Sequence, residues 1–307
     1  MIFRGIFSRE MENGFHFFAG VALLAANSFI SPATAAEADP SAPPPAKEAY
    51  SLLHPTPTVL WREFNPDRPD KTESPFTVDA GHVQVEMDLA TFTYDRYNPA
   101  RANVRTETSA FLNTNLKLGV CNWSDVELIV PACNELRVDD RGAKTVQKNS
   151  GFGALVTRLK INFFGNDDGP VALGTILFAR FPTAAKNLGP DSVEGGLIFP
   201  VAIKLPGEWD LGAMIEVDVV ENLFSGGKHF EFVNSITLSH NLIGPLAAYI
   251  EFFGSISAEK HSPWVGTFDF GITYSLTENI RFDAGVNLGV TRAADDFNPF
   301  LGVAWRF

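Results

Sequence analysis

The sequence lacks the features that would indicate a nucleic-acid-binding protein or a cofactor-dependent enzyme. It has 24 lysine and arginine residues against 36 aspartate and glutamate residues, which gives a formal net charge of −12 at pH 7. Binding of nucleic acid requires a basic face, so we expect no nucleic acid as a partner. No phosphate-binding loop, metal-ligand spacing or nucleotide fingerprint occurs, and we expect neither a cofactor nor a metal site.

Cysteine is also scarce, with only Cys121 and Cys133 in 307 residues. The hairpin predicted below separates them by roughly 23 Å at about 3.3 Å per residue. A disulfide requires Cα atoms within about 7 Å of each other. We therefore expect two unpaired thiols, although an exported protein could form disulfides.

Long apolar runs are confined to the N-terminus. Arg4 and Arg9 precede the run "GFHFFAGVALLAANSFI" at 14–30, and the next residues, "SPATAA", resemble a cleavage site. This pattern predicts a signal peptide at 1–35, with a transmembrane anchor as the alternative. Residues 36–60 are rich in proline and alanine and predict a disordered spacer. No later segment has 18 consecutive apolar residues, which argues against a membrane-spanning helix there.

The residues in clear excess are 27 phenylalanines and 25 glycines, which are typical of strands and of tight turns. Apolar and polar residues alternate, as in 153–164, where Arg158 and Lys160 oppose an apolar face. Each alternation lasts about ten residues or more, the length that a tilted strand needs to cross a bilayer. The predicted strands lie near 82–95, 104–119, 125–137, 152–164, 170–182, 192–205, 208–221, 229–241, 245–257, 264–276, 279–291 and 298–307.

Short turns such as "PG" at 206–207 alternate with longer loops such as 139–150 and 182–191. This is the layout of a closed up-and-down outer-membrane β-barrel of about 12 antiparallel strands, all-β in class. An even strand number places both termini in the periplasm. In the last strand, Val303, Trp305 and Phe307 share the lipid side; Trp305 and Phe307 resemble the terminal aromatic signal read by the barrel-assembly machinery. The alternative is an edge strand of a soluble sandwich.

Charged residues fall on the opposite face of the strands and should face the lumen, because charge is costly in lipid. They predict either a neutralised wall or a selectivity ring. Arg158, Lys160 and Arg180 form a predicted positive patch, opposite the acidic residues Asp210, Glu216 and Asp218. The other candidate lumen-lining residues are Glu86, Glu107, Glu194, Lys204, Arg281 and Asp283.

Three positions fit the strand pattern badly. Pro131 and Pro200 lie inside predicted strands, where proline removes a hydrogen-bond donor, and we expect a bulge or local irregularity at each. The first strand changes phase, since Val83, Val85, Met87 and Leu89 share one parity and Phe92 and Tyr94 the other. Catalysis is not indicated: Ser239 adjoins His240, but neighbouring strand residues point to opposite faces.

The segment "DRPDKTESPFTVDAGHVQVEMD" at 67–88, followed by this chain of strands, resembles the family described as "Putative MetA-pathway of phenol degradation". The residues that carry the resemblance are Asp67, Arg68, Pro69, Asp70, Thr72, Glu73, Pro75, Gly81, Gln84 and Glu86. The resemblance implies an outer-membrane barrel at 81–307 and uptake of small organic or aromatic compounds. Residues 61–80 are too polar to face lipid, and we expect them to form a periplasmic segment that could plug the lumen through Arg68 and Asp70.

These observations predict a passive outer-membrane channel for small solutes, with outer-membrane lipid and the assembly machinery as partners. The first alternative is a structural or adhesive barrel with a plugged lumen. The second is an outer-membrane hydrolase, which would need a serine or acid paired with histidine at one rim.

Overall fold

The computed structural model describes residues 46–98, 103–222 and 226–307. The predicted signal peptide at 1–35 and the first part of the predicted spacer, 36–45, lie outside the described residues. None of the helices in the described residues is long and apolar enough to cross a membrane. Two single-turn 3₁₀ helices, Lys47–Ala49 and Thr58–Leu60, precede the strands.

The described residues contain thirteen strands, and twelve of them form a closed antiparallel barrel. The barrel closes because β1 pairs with both β2 and β13, and β2 pairs with β3. This confirms the predicted all-β barrel of about twelve strands. The strands are β1 Val83–Asn98, β2 Val104–Cys121, β3 Ser124–Asp140, β4 Thr145–Gly151, β5 Val156–Phe164, β6 Val171–Arg180, β7 Glu194–Leu205, β8 Trp209–Glu221, β9 Lys228–Ile243, β10 Leu246–Ser257, β11 Val265–Thr277, β12 Ile280–Gly289 and β13 Phe297–Arg306.

The thirteenth strand, β4, falls in the stretch 139–150 that we expected to be a loop. It pairs with the end of β3, where Asp140 faces Thr145 and Asn134 faces Gly151. Its sequence, "TVQKNSG", is polar and largely exposed, so it carries no apolar alternation. Strand β3 therefore pairs with β5 only up to Ile129 and with β4 beyond it.

Side chains alternate between the outer surface and the lumen along each strand. In β5, Leu159 is 37% exposed at the outer surface, whereas Lys160 is fully buried inside the barrel. In β11, Phe268 and Phe270 face outward while Asp269 between them is buried. An apolar exterior around a charged interior is the pattern that a bilayer imposes on a barrel.

The phase change in β1 arises from a β-bulge at Leu89. The pairing of β1 with β13 shifts register between Asp88 and Ala90, so Leu89 is the extra residue. A bulge moves the following side chains by one position along the alternation. Phe92 consequently reaches the outer surface, where it is 40% exposed.

The two prolines interrupt pairing but cause no register shift. Pro131 lies just beyond Ile129, where the pairing of β3 with β5 has already ended. In β7, the ladder to β6 is interrupted between Ile198 and Val201, the stretch that contains Pro200. Each proline thus coincides with a gap in the pairing to one neighbouring strand, as expected for a residue that has no N–H donor. We expected bulges as one solution, and the barrel uses local loss of pairing instead.

Residues 46–60, within the predicted spacer, have defined structure at the short-turn end of the barrel. Tyr50 is buried, and Ser51 forms an isolated bridge with Cys121. His82 contacts the carbonyl oxygen of Thr56 at 2.7 Å through its Nε2 atom. Residues 46–60 therefore have more structure than their composition suggests, because Tyr50, Ser51 and Thr56 contact the barrel although most of their neighbours are exposed.

Candidate functional site: the barrel lumen

The segment 61–80 lies in the barrel lumen and contacts strands on several sides of it. Its polar and charged side chains form hydrogen bonds or ion pairs with β1, β2, β5, β10, β11 and β12. The segment has no regular secondary structure of its own. Its backbone groups are therefore satisfied partly by side chains of the wall, as buried polar groups require.

Asp67 is the centre of the first set of contacts. Its carboxylate accepts hydrogen bonds from Lys160 at 2.7 Å, from Lys117, and from the hydroxyl of Ser74 at 2.7 Å. Lys160 and Lys117 are almost completely buried. Burial opposes ionisation of Asp67, but the two lysines outweigh it through their charges and hydrogen bonds, so the pKa of Asp67 lies well below its usual range.

Arg68 extends toward strands β1 and β12. Its guanidinium donates to Asp283 of β12 at 2.7 and 3.0 Å and also pairs with Asp88 of β1. The backbone N–H of Arg68 donates to Glu86 at 3.1 Å. Gly302 leaves the space for this arrangement, because a Cβ atom there would lie 2.0 Å from the guanidinium.

The next residues reach β5, β10 and β11. Lys71 forms an ion pair with Asp269 at 3.1 Å, and the N–H of Thr72 donates to Glu251 at 2.8 Å. Glu73 pairs with Arg158 at 2.7 Å. The segment thus places a positive and a negative side chain, Lys71 and Glu73, next to complementary charges on the wall, and Thr72 between them binds a third wall residue.

A second group of contacts holds the beginning of the segment at the short-turn end. Arg62 donates to Thr77 and Asn122, and lies 3.3 Å from Asp79 and from Asp167. The partial burial of Asp167 opposes ionisation, but hydrogen bonds from Lys47 and Asn122 and the charge of Arg62 lower its pKa. This group connects the segment to the turn between β5 and β6.

Five of the predicted lumen-lining residues are brought together by the segment. Lys160 contacts Asp67, Arg158 contacts Glu73, and Asp283 contacts Arg68, so residues from β5 and β12 share one network. Glu86 accepts hydrogen bonds from the backbone of Asp67 and Arg68, and Arg281 donates to the carbonyl oxygen of Phe64 at 3.0 Å. These contacts place the five residues at the segment.

The predicted positive patch is not free, because each of its three cations has a carboxylate partner. Arg158 and Lys160 pair with residues of the segment, and Arg180 lies 3.4 Å from Glu194 near the long-loop end. The predicted acidic residues also lie at different depths. Asp210 begins β8 at the short-turn end, whereas Asp218 is eight residues further along, about 26 Å at roughly 3.3 Å per residue.

The remaining predicted residues lie outside the central network. Glu107 is near Arg105 and Arg137 toward the long-loop end, at 3.5 and 3.6 Å. Lys204 is 3.9 Å from Glu63 at the short-turn end, where both side chains are exposed. Glu216 faces the lumen from β8, between the depths of Asp210 and Asp218.

Two central residues of the lumen wall, Glu127 of β3 and Glu251 of β10, were not identified from the sequence. Both are buried charged residues. Their position on the polar face of an alternating strand is the signal that could have identified them. Whether such residues lie next to the lumen segment depends on how deep the segment reaches into the barrel. Strand alternation alone does not give that depth.

Apolar side chains fill another part of the lumen wall. Ile176, Ile198, Met214 and Val233 of β6 to β9 form a buried cluster, with Phe178 and Phe253 packed against it. The segment touches this cluster where the N–H of Glu73 approaches the sulfur of Met214 at 3.4 Å. The lumen therefore has a charged side and an apolar side.

A cavity of about 400 Å³ remains between the segment and the wall at the short-turn end. Asp70 lines it from the segment, and β9 contributes Thr237 and Ser239. Tyr249 of β10 and Arg281 of β12 line it as well. This volume is in the range of small-molecule sites, which typically measure roughly 300–1,000 Å³.

The serine and histidine at 239–240 do not face each other. Ser239 lines the cavity, whereas the ring of His240 packs edge-on against Trp209, 4.4 Å away between ring centres. Strand alternation explains this separation. The pair is therefore not arranged for nucleophilic catalysis, which needs the serine and the base within hydrogen-bond reach.

The last strand combines an exposed and a buried face as expected. Phe307 is 59% exposed, and its backbone exchanges two hydrogen bonds with Val83 of β1. Trp305 shares the face of Phe307. Arg306 points inward, where its guanidinium lies 4.9 Å from the ring centre of Trp61 and donates to the carbonyl oxygen of Arg62. The closing strand thus also contacts the lumen segment.

Residues 66–307 match the family described as "Putative MetA-pathway of phenol degradation". The chain belongs to this family. The match begins within the lumen segment and covers every strand of the barrel. No curated protein matches the chain in sequence.

Solved structures support the same fold. An outer-membrane channel from Pseudomonas putida F1 is 13% identical, with 80% of this chain and 100% of that chain covered and a TM-score of 0.58. The NanC porin is 8% identical, with 73% and 98% covered and a TM-score of 0.47. An anion-selective porin from Comamonas acidovorans is also 8% identical, with 73% and 98% covered and a TM-score of 0.36. The first comparison establishes the fold of an outer-membrane barrel, and the other two are too distant to add to it.

Proposed function

We propose that this protein is an outer-membrane channel for the passive uptake of small solutes, with its termini in the periplasm. The observation that carries the proposal is a closed barrel whose inner wall is polar and charged and whose short-turn end holds a cavity of about 400 Å³. A purely structural barrel has no need of a charged interior, since apolar packing would fill it at lower cost.

The lumen segment sets the width of this channel. It occupies the charged side of the lumen through Asp67, Arg68 and Lys71, and solutes would pass beside it along β6 to β10. A twelve-strand barrel is intermediate between filled small barrels and wide porins. Small organic or aromatic compounds, the solutes suggested by the family's description, fit such a restricted passage.

Planar-bilayer recordings in potassium chloride test the proposal directly. The purified mature protein should give discrete single-channel currents, and a variant that lacks residues 37–78 should give larger ones. Liposome-swelling assays with sugars, amino acids and aromatic acids then rank the solutes. Absence of current from both proteins would overturn the channel function.

The second candidate is a barrel whose lumen is permanently plugged. The ion pairs of the segment with β1, β2, β5, β11 and β12 favour it, because they tie one short stretch to widely separated strands. This candidate predicts a silent full-length protein and a conducting deletion variant. Measurable current from the full-length protein excludes it.

A further inference from the structure

The cavity at the short-turn end contains one acidic and one basic side chain without ionic partners. Most cations of the lumen are paired: Arg68 with Asp283, Lys71 with Asp269, and Lys160 with Asp67. Among the described residues, Asp70 forms no ion pair with any lysine, arginine or histidine, and Arg281 forms none with any carboxylate. Both side chains line the same cavity.

Asp70 lies beside the hydroxyl of Thr237 on β9, which favours the charged form of its carboxyl group. Burial and the nearby charge of Glu251 raise the pKa of Asp70 well above its usual range. A buried carboxylate without a cation is costly, and the arrival of a positive group would remove that cost. The geometry therefore leaves a place for a cation next to Asp70.

Arg281, in turn, lacks an anionic partner. One terminal nitrogen donates to the carbonyl oxygen of Phe64 at 3.0 Å, and the guanidinium lies 5.7 Å from the centre of the Phe64 ring. Its buried Nε atom has no hydrogen-bond partner among the described residues. A guanidinium binds a carboxylate through paired hydrogen bonds, so an anionic group is the natural missing partner.

A third polar group of the cavity wall also lacks a partner. Tyr249 is only 5% exposed, and within the described chain its hydroxyl makes no hydrogen bond. Tyrosine hydroxyls are normally satisfied when buried. Thr237 and Ser239 add hydroxyl groups to the same wall. The wall therefore offers further hydrogen-bonding groups in the same cavity as Asp70 and Arg281.

The exposed acidic residues at the rim of the cavity do not decide which solute it binds. Asp168 and Asp210 line its rim, and both are exposed at the short-turn end. Exposed charges are screened by water and salt, whereas partly buried ones are screened much less. Lys204 and Glu63 at the same rim are 3.9 Å apart and largely offset each other. The inner residues Asp70 and Arg281 remain the determinants.

We propose that this cavity binds a small zwitterionic solute, with an ammonium group beside Asp70 and a carboxylate beside Arg281. Amino acids are the simplest members of this chemical class. The inference rests on the proposed channel function, because the solute reaches the cavity through the lumen.

Block of the potassium chloride current tests the inference on the unmodified full-length protein. Three probes of similar size separate the chemistries: alanine carries both groups, ethylamine only the ammonium, and propionate only the carboxylate. We expect half-maximal block by alanine at a concentration about tenfold below that of either other probe, since a charge-assisted hydrogen bond is worth at least that factor.

Variants assign the effect to the two residues. Asp70→Asn and Arg281→Gln should each remove most of the advantage of alanine, while Arg180→Gln, outside the cavity and near the long-loop end, should retain it. Heat-modifiable migration on gels shows that each barrel has folded. Equal block by all three probes overturns the zwitterion site and leaves the channel intact, whereas absence of any potassium chloride current overturns the channel function itself.

Discussion

Both carboxylate oxygens of Asp67 accept hydrogen bonds from Nζ of Lys160 at 2.7 Å. Lys160 is completely buried in β5, and Asp67 also binds Lys117 of β2. One carboxylate of the lumen segment thus bridges two lysines that lie on either side of β3. Each lysine also has a carboxylate partner on the wall, Glu86 for Lys117 and Glu127 for Lys160, so the two cations and three anions form one buried network.

Replacement of Asp67 by asparagine should lower the free energy of unfolding by about 3–5 kcal/mol, the usual cost of removing one partner from a buried ion pair. Urea unfolding of the detergent-solubilised protein, followed by tryptophan fluorescence, measures it. Asp168→Asn in an exposed turn is the matched control and should change stability by less than about 0.5 kcal/mol. Equal stability of the two variants would contradict the role of Asp67.

The stabilising effect of Asp67 should persist to acidic pH. Its pKa is lowered in the folded protein, so its contribution is fully present above the unfolded value of about 3.9 and is lost as pH falls through the folded value. The difference in stability between wild type and Asp67→Asn should therefore stay constant from pH 7 to about pH 4 and shrink only below that. If the difference in stability between the two proteins disappeared near pH 6, the pKa of Asp67 would be raised in the folded protein, contrary to this prediction.

Gly302→Ala should release Arg68 from its carboxylates. The added Cβ atom would lie 2.0 Å from the guanidinium, and the side chain can move away only by leaving Asp283. We expect the barrel to fold and the single-channel conductance to rise, because the segment loses one of its anchors. Gly142→Ala, in the connection between β3 and β4, serves as the control and should conduct like wild type.

Phe307→Ala tests the proposed assembly signal. The backbone bonds between Phe307 and Val83 can remain in this variant, so the closed barrel itself should be little affected. We expect severalfold less assembled barrel in the outer membrane, measured by heat-modifiable migration, with unchanged stability of the molecules that do assemble. Tyr274→Ala, another exposed aromatic residue, is the control. Equal yields for the two variants would argue against recognition of the terminal residue.

Strand alternation was sufficient to predict the barrel. The twelve predicted segments overlap β1 to β3 and β5 to β13, because lipid on one side and a polar lumen on the other leave a two-residue period in every strand. Strand β4 was not predicted because its polar, largely exposed sequence carries no apolar alternation. The bulge at Leu89 was detectable in the sequence, because the apolar residues of the first strand change parity there.

The lumen network was only partly predictable. Strand alternation placed Arg158, Lys160 and Asp283 in the lumen, and the polar character of 61–80 predicted that Arg68 meets charges there. The alternation also grouped Arg158, Lys160 and Arg180 as a positive patch, yet each of the three has a carboxylate partner. Arg180 pairs with the adjacent strand β7, whereas Arg158 and Lys160 pair with the lumen segment and also lie near Glu127 of β3, at 3.8 and 3.6 Å.

The sequence by itself determined which face of each strand meets lipid, because burial of apolar side chains in hydrocarbon is a local property with a fixed period. Only the tertiary structure decided which charges meet inside. Residues 67–73 are irregular and carry no period, and their partners lie up to 215 positions away in the chain. Such pairings depend on barrel closure, which brings β1, β5 and β12 around one short segment.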